Sequence, residues 1–260
     1  MLFSWLRNRR RRKLLAEPFP VRWEAFLRAN VGHYPRLSAG EQARLRDITR
    51  VLVAEKAWEG CGGLFVTEEM KVTIAAQAAL LLLGADHGYY ARVDSVVVYP
   101  RSFRTPVAAD DWEDDELSDT ALSGQAVYRG PVILSWDEVL PEGRDPDGGY
   151  NVVVHEFAHQ LDFLDNVVDG TPPLDDREQE ARWRYVMTGA FEAHRRALGR
   201  GGEEPFFTPH AAENETEFFA DATEAFFCRP EDMKELYPEV YQLFAAYYRV
   251  DPVKWFAESL

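Results

Sequence analysis

The chain contains little cysteine, no long apolar segment and no excess of basic charge. Its 2 cysteines among 260 residues are too few for a disulfide framework, and neither lies in a Cys-x-x-Cys pair, which disfavours a thiolate metal site. The most apolar run, residues 74–83, is too short to cross a bilayer and contains Gln77. The first basic residues are not followed by an apolar stretch of about 7–15 residues, so we expect no secretory signal. These absences predict a cytoplasmic protein with free thiols.

Acidic residues outnumber basic ones, 44 to 29, and the formal net charge is -15. A protein that binds nucleic acid normally presents a basic field, so we expect no direct contact with nucleic acid. Basic residues are concentrated in one segment, residues 7–13, between apolar side chains. We predict a flexible basic extension over residues 1–20, which could contact an anionic membrane surface or an acidic partner. Residues 21–260 are predicted to form a single domain.

The apolar periodicity predicts helices at both ends of the chain and a few strands between them. Ser38 and Glu41 have the spacing of a capping box, and Thr67 could begin a second helix that Gly84 ends. Further segments are predicted in this order: a strand over residues 93–99, an acidic surface loop over residues 105–120, a strand pair over residues 127–128 and 132–136, and helices over residues 150–164, 176–198, 213–227 and 238–248. This order predicts an α+β fold that is mostly helical with a small mixed sheet.

The most informative pattern is His-Glu-x-x-His at residues 155–159, which follows an apolar run. On a helix, residues four apart lie on the same face, so the imidazoles of His155 and His159 can bind one metal ion. Glu156 is then placed to act as a general base on water at that metal. A neighbouring apolar stripe, which comprises Val154, Phe157, Leu161 and Leu164, predicts that the other face is buried. The alternative is a pair of structural histidines on an amphipathic helix.

A catalytic zinc site usually has a third protein ligand, and the acidic helix predicted over residues 213–227 is the best source for it. Its acidic residues fall on one side and its phenylalanines on the other, so its carboxylates are predicted to face a cleft. We predict Glu217 as the third ligand. Asp221, one turn on, is predicted to accept a hydrogen bond from a ligand histidine, and Asp162 is a weaker candidate for either role. The alternative is a solvated acidic face.

Many ordered motifs resemble those of the Mlc titration factor A family, bacterial zinc metallopeptidases of the gluzincin type. The motifs are Gly62-Gly63-Leu64, residues 74–78, Tyr99-Pro100, Ser135-Trp136, residues 155–162, residues 169–174, residues 217–220, Tyr247-Tyr248 and Asp251-Pro252. The resemblance implies a zincin-like fold in which one Zn²⁺ ion per chain is held by His155, His159 and Glu217. It also implies Glu156 as the general base and an aminopeptidase activity.

The chain departs from that family at residue 210. Family members often have a tyrosine seven residues before the ligand glutamate, proposed to stabilise the transition state, whereas this chain has His210. An imidazole can also donate a hydrogen bond to an oxyanion, so we predict His210 as a second catalytic residue. The alternative is an exposed histidine without a role.

Substrate contacts and a second function also follow from the resemblance. An aminopeptidase needs a carboxylate for the free α-amine, for which Glu213 and Glu215 are candidates, and residues 132–136 could be an edge strand that pairs with an extended peptide. The family is also known for sequestering Mlc, a transcriptional repressor linked to glucose. Hydrolysis of peptides and binding of such a repressor therefore both stay open. A purely structural metal site is disfavoured, because such sites favour thiolates and leave Glu156 without a purpose.

Overall fold

The computed structural model describes residues 2–85, 88–101, 124–126, 130–200 and 205–257. In these ranges the chain is mostly helical with one small sheet, which confirms the predicted α+β class. The helices are α1 (Leu2–Ala16), α2 (Val21–Asn30), α3 (Ala39–Glu55), α4 (Glu68–Leu80), α5 (Trp136–Arg144), α6 (Val152–Asp162), α7 (Arg177–Arg200), α8 (Glu215–Cys228), α9 (Pro230–Leu236), α10 (Pro238–Tyr248) and α11 (Val253–Phe256). Short 3₁₀ turns lie at Tyr34–Arg36, Phe163–Asp165 and His210–Ala212.

The sheet has four strands within the described ranges: β1 (Ala57–Gly60), β2 (Ser95–Tyr99), β3 (Gly124–Ala126) and β4 (Val132–Ser135). Their order is β1-β2-β4-β3, with β1, β2 and β4 parallel and β3 antiparallel to β4, so the predicted mixed sheet is confirmed. In the register, Val97 and Gln125 lie on either side of Ile133. The prediction of an edge strand at residues 132–136 is wrong, because β4 is hydrogen-bonded on both sides and β3 occupies that edge.

Two other predicted segments fall outside what the structure describes. The acidic loop predicted over residues 105–120 and the strand predicted over residues 127–128 both lie beyond the described ranges. The antiparallel neighbour of β4 is β3, which begins at residue 124. The predicted strand pair is therefore confirmed in its second strand, and the strand at residues 127–128 stays a prediction.

Side-chain caps set the starts of the first two predicted helices. Ser38 and Glu41 form the predicted capping box of α3, each side chain bonding the other residue's backbone N–H. Thr67 caps α4 as predicted. α4 ends at Leu80, about one turn earlier than expected, and turns lead from there to Gly84 at the end of α10. A side chain on Gly84 would meet the carbonyl oxygen of Tyr248 at 2.2 Å, so only glycine allows this close approach.

Helices α6 and α8 pack against each other, and their apolar faces join the core. The predicted stripe on α6 is confirmed: Val154, Phe157 and Leu161 are buried, and Leu164 packs against the core just past the helix. On α8 four phenylalanines are at most 1% exposed, namely Phe218, Phe219, Phe226 and Phe227. They contact aromatic rings of α7, α10 and α11, among them Trp183, Phe244, Tyr248 and Trp255. We call this packed surface of the helix pair its aromatic side.

The basic N-terminal segment forms α1, which contacts α3. Arg11 makes two hydrogen bonds of 2.7 Å to the carboxylate of Glu55, and Arg50 of α3 donates to the carbonyl oxygen of Glu17. The other cations at residues 7–13 are exposed. The division of the chain at residue 20 stays a prediction, and so does contact between these cations and an acidic surface.

Both cysteines are free thiols, as predicted, with Cys61 partly exposed and Cys228 buried. Among the helices in the described parts of the chain, none combines the length and the hydrophobicity needed to cross a bilayer. The core therefore depends on packing and hydrogen bonds rather than on a disulfide.

Candidate metal centre

The first turn of α6 is held by polar side chains from three other helices. Asn151 caps the helix, and its amide donates to the side-chain oxygen of Gln77 on α4 at 2.9 Å. Glu142 of α5 accepts the N–H of the first helical residue at 2.7 Å, and Glu224 of α8 accepts the N–H of Asn151 at 2.6 Å. These bonds satisfy N–H groups that a helix start leaves unpaired. They also fix the orientation of the helix at His155, one turn on, and so the direction in which its side chain points.

Gly143 of α5 makes room for this arrangement. A side chain at that position would meet the amide nitrogen of Gln77 at 2.6 Å. Gln77 is fully buried, and its amide also donates to the carbonyl oxygen of Val139. The three helices α4, α5 and α6 therefore meet at one crowded point next to the start of the metal-motif helix.

The structure brings together the three predicted ligands, His155, His159 and Glu217. The two Nε2 atoms are 3.2 Å apart, and Glu217 Oε2 lies 3.1 Å from Nε2 of His155 and 3.3 Å from Nε2 of His159. Ligand atoms about 2.0–2.1 Å from one tetrahedral ion are about 3.3–3.4 Å apart. The spacing of this ligand triangle and its two nitrogens and one oxygen fit one such ion. The side chains keep 7–20% of their surface exposed, so solvent reaches the triangle.

Glu217 is placed by the start of α8. The side chain of Asn214 caps the helix and accepts the N–H of Glu217 at 2.9 Å. A helix N-terminus favours negative charge, which suits an ionised carboxylate at this position. Burial opposes that charge, but hydrogen bonds from His155, His159 and His210 outweigh it and hold the pKa of Glu217 well below its usual range.

Glu224 fills the role that the sequence assigned to Asp221. Its Oε1 lies 2.8 Å from Nδ1 of His155, and a carboxylate can only accept, so the imidazole donates from Nδ1 and turns Nε2 to the ligand triangle. Asp221 instead accepts hydrogen bonds from the hydroxyl and the N–H of Thr208. The prediction for Asp221 is therefore wrong. The available signal for Glu224 was its position on the same helix face, seven residues after Glu217.

Asp162 does not join the ligand triangle. Its Oδ2 accepts the N–H of Gly170 at 3.1 Å, in the loop that follows α6. Burial raises the pKa of Asp162 to about 7. It fastens that loop to the end of the helix instead of serving either of the roles considered for it.

Glu156 is 3% exposed, and its Oε2 is buried with no hydrogen-bond partner among the described residues. Burial raises the pKa of Glu156 to about 8, with the neighbouring carboxylates Glu217 and Glu224 adding to the effect. A cation at the ligand triangle would act in the opposite direction. A carboxylate with one free oxygen beside a metal-ligand set has the chemistry of a proton acceptor.

His210 lies at the outer rim of the ligand triangle. Its Nδ1 is 2.8 Å from Glu213 Oε1, its Nε2 is 3.0 Å from Glu217 Oε2, and its ring stacks on His155. The hydrogen bond to Glu217 raises the pKa of His210 to about 9. The side chain is 39% exposed, so it can meet a ligand that enters from solvent. Its role as an oxyanion donor stays a prediction.

A site of this composition can be compared with known proteins. The sequence model of the glucose-regulated metallo-peptidase M90 family matches residues 5–249, almost the whole chain. The chain belongs to the M90 family. Membership in a metallopeptidase family supports a metal at the ligand triangle.

Curated relatives of this M90 member agree with the resemblance seen in the sequence. A protein called Mlc titration factor A from Edwardsiella ictaluri is 33% identical over 231 residues, which cover 86% of this chain and 85% of that protein. The protein of the same name from Yersinia pestis is 29% identical over 255 residues, covering 96% and 90%. An uncharacterized protein of Synechocystis sp. is 31% identical over 251 residues, covering 96% and 90%. The resemblance to the Mlc titration factor A family is confirmed.

Proposed function

We propose that the protein is a zinc-dependent peptidase and that its zinc ligands are His155, His159 and Glu217. The observation that carries this proposal is the ligand triangle, whose three atoms lie 3.1–3.3 Å apart on two helices. Two imidazoles and one carboxylate favour Zn²⁺ over iron or manganese. The zincin-like character of the fold and one zinc ion per chain belong to the same proposal.

The remaining residues have separate tasks in peptide hydrolysis. Bound zinc would supply Lewis acidity towards water and the scissile carbonyl. Glu156 accepts the proton of the attacking water on its unpaired oxygen and passes it to the leaving amine. His210 donates from Nε2 to the carbonyl oxygen as negative charge develops there, which requires it to leave Glu217.

The proposed substrate class is peptides with a free α-amine, as in an aminopeptidase. Glu213 lies at the rim, 2.8 Å from His210, and Glu215 is exposed at the first position of α8. Either carboxylate is able to receive an ammonium group that enters there. An extended peptide would pair with β3, the outermost strand beyond β4 among the described residues and a neighbour of α6, because β4 is paired on both sides.

The decisive experiment combines metal analysis with hydrolysis of a panel of amino-acid anilides. We expect one zinc per chain and cleavage that a chelator abolishes and zinc restores. N-acetylation of the best anilide should abolish cleavage if the free amine is recognised. Cleavage that survives complete removal of metal would refute the proposal, and equal cleavage of the acetylated anilide would refute the aminopeptidase assignment alone.

We also propose that the protein binds a transcriptional repressor of the Mlc type. The support is the name of two relatives, Mlc titration factor A, which align with most of this chain at 29–33% identity. A binding surface and a catalytic cleft do not compete, so both functions can belong to one protein. A location in the cytoplasm stays a prediction.

Calorimetric titration of the purified protein with a purified Mlc repressor tests this second function. We expect saturable binding that Glu156→Gln leaves intact, since that change removes only the proton acceptor. Absence of binding at the highest soluble concentrations would count against repressor binding and leave the peptidase proposal untouched.

A further inference from the structure

We propose that a cavity between α7, α10 and the loop joining α6 to α7 binds a small amphiphilic anion, a molecule with an apolar body and one negatively charged group. The cavity has a volume of about 420 Å³, which lies within the range of about 300–1,000 Å³ typical of small-molecule sites. None of its described lining residues is a member of the ligand triangle, and neither Glu156 nor His210 lines it. Binding there is therefore separate from the proposed peptidase reaction.

The inner wall of the cavity is apolar and aromatic. Trp183 of α7 and Tyr247 of α10 meet there with their ring centroids 5.6 Å apart. Leu174 of the loop and Leu243 of α10 extend the same wall. An apolar body that enters the cavity covers these side chains and is itself removed from water, which favours binding.

The wall formed by the loop is fixed by contacts of Gly170. Its N–H donates to Asp162 at the end of α6 at 3.1 Å, and its carbonyl oxygen accepts the indole N–H of Trp183 at 3.0 Å. Gly170 has a φ of 70°, and a side chain there would meet the carbonyl oxygen of Glu215 at 2.3 Å, so the position requires glycine. Because this wall is already ordered, a ligand does not have to order it on binding.

The rim of the cavity carries a net positive charge in a chain whose formal net charge is -15. Its charged residues are Asp175, Arg182 and Arg249, two bases against one acid, which gives +1. Arg249 lies 3.5 Å from the carboxylate of Asp175, so these two charges compensate each other. Arg182 is exposed and has no ion-pair partner among the described residues. Its guanidinium can therefore bind an anionic group through two N–H groups.

The inner wall and the rim together determine the class of ligand. A cation would be attracted by Asp175 alone, whose charge Arg249 already compensates. A protein partner would have to cover about 800 Å² of surface, whereas a concave site of this volume is filled by a small molecule. An apolar body with one negative charge matches both the aromatic wall and the guanidinium of Arg182.

Two fluorescent probes that differ in charge test the inference. Anilinonaphthalene sulfonate has an aromatic body with one negative charge, and phenylnaphthylamine has the same body without the sulfonate. Fluorescence titration of the whole chain gives the dissociation constant of each probe. We expect the protein to bind one sulfonate probe per chain, about 5-fold more tightly than the neutral probe, because a partly exposed ion pair contributes up to about this factor.

Three variants separate the contributions of the wall and the rim. Arg182→Gln should remove the preference for the sulfonate probe and leave the affinity for the neutral probe unchanged. Ala246→Trp, at an exposed lining position of α10, should fill the cavity and abolish the saturable binding of both probes. Arg195→Gln is the matched control, because Arg195 is exposed on α7 and does not line the cavity, and it should change neither affinity. If Ala246→Trp does not fold, Ala246→Phe takes its place.

Four outcomes would overturn the inference. These are equal affinity of the wild type for the two probes, binding that a folded cavity-filling variant leaves unchanged, an equal loss of sulfonate affinity in Arg182→Gln and Arg195→Gln, and binding without saturation. The last result would indicate adsorption to exposed apolar surface. The titrations need no zinc, so a protein that fails to bind zinc would refute the proposed function and leave this test intact.

Discussion

The two sides of the α6–α8 pair are stabilised by different interactions, apolar packing on one and hydrogen bonds on the other. The aromatic side contains closely packed rings such as Trp183 and Phe244, whose centroids are 5.3 Å apart. The opposite side, which we call the carboxylate side, holds the ligand triangle with Glu156 and Glu224 around it. Apolar burial is non-directional, so many arrangements of neighbours can satisfy the first side. Hydrogen bonds and metal ligation are directional, so each group on the second side needs a particular partner. We expect stability to depend mainly on the aromatic side and chemistry on the carboxylate side.

The largest effect should come from Glu156→Gln, on the carboxylate side. Loss of a positioned proton acceptor should lower turnover of the anilide substrate by about 10²–10⁴-fold. Zinc content should not change, because Glu156 is not a member of the ligand triangle. Steady-state kinetics and metal analysis of the same preparation measure both quantities. Glu192→Gln, an exposed acid on α7, is the control, and a variant with retained turnover would remove Glu156 from the mechanism.

Phe219→Ala should have the corresponding effect on the aromatic side. Phe219 is fully buried between the rings of Trp183 and Phe244, so its truncation leaves a cavity. We expect a loss of about 3–5 kcal/mol in the free energy of unfolding, measured with urea. Zinc affinity of the folded protein should fall less than about 10-fold. A large fall in zinc affinity with little loss of unfolding free energy would show that the aromatic side also controls metal binding.

The aromatic side has a pH dependence of its own through His33. Its Nε2 donates to the carbonyl oxygen of Phe227, and burial lowers the pKa of His33 to about 4. The unfolded chain takes up this proton near its usual pKa of about 6.5, before the folded protein does, so stability falls as the pH falls from about 6.5 to 4. Urea unfolding of the metal-free protein at two pH values, compared with His33→Gln, measures the effect. The wild type should lose about 2–3 kcal/mol more than the variant between pH ~7.5 and ~4.5.

Two results would contradict that account of His33. Equal pH dependence in the wild type and the variant would show that the unfolding free energy depends on other groups. A wild type that gained stability relative to the variant on acidification would show that the folded state binds the proton more tightly, which is opposite to the effect of burial.

The smallest effect should come from Asp221→Asn. The amide keeps an oxygen for the hydroxyl of Thr208, and burial already raises the pKa of Asp221 to about 6, so little charge is lost near that pH. We expect zinc affinity to fall less than the about 10-fold expected for an outer partner of a ligand. Competition for zinc with a chelator of known affinity measures it. A fall of about 10-fold or more would show that the carboxylate side acts as one network rather than through individual bonds.

The sequence predicted the aromatic side better than the carboxylate side. Apolar spacing on α6 and α8 was enough to identify their buried faces. The expectation that two motif histidines need a third protein ligand was enough to select Glu217 for the ligand triangle. The outer partner of His155 was assigned to Asp221 instead of Glu224. Residues four and seven positions after Glu217 lie on the same helix face, and only the position of α8 along α6 decides which one reaches the imidazole.

The periodicity of apolar residues also failed to predict the short helices and strands. α5 and α9 have fewer than ten residues, which leaves little room for a helical period, and the four residues of β1 are mostly exposed. The outer position of β3 depends on pairing between segments distant in sequence, so the edge of the sheet was assigned to β4. Contacts of this kind are absent from any local pattern.

The crowded point at Gly143 has a consequence for attempts to transplant the metal-binding segment. Gly143 lies close to Gln77, and Gln77 and Glu142 are hydrogen-bonded to the start of α6. The orientation of the histidines therefore depends on α4 and α5, which carry none of the proposed metal ligands. A peptide of α6 and α8 alone would carry all three ligands without the framework that aims them. A minimal mimic must therefore copy the junction of four helices, and the five-residue motif is the smaller part of what has to be engineered.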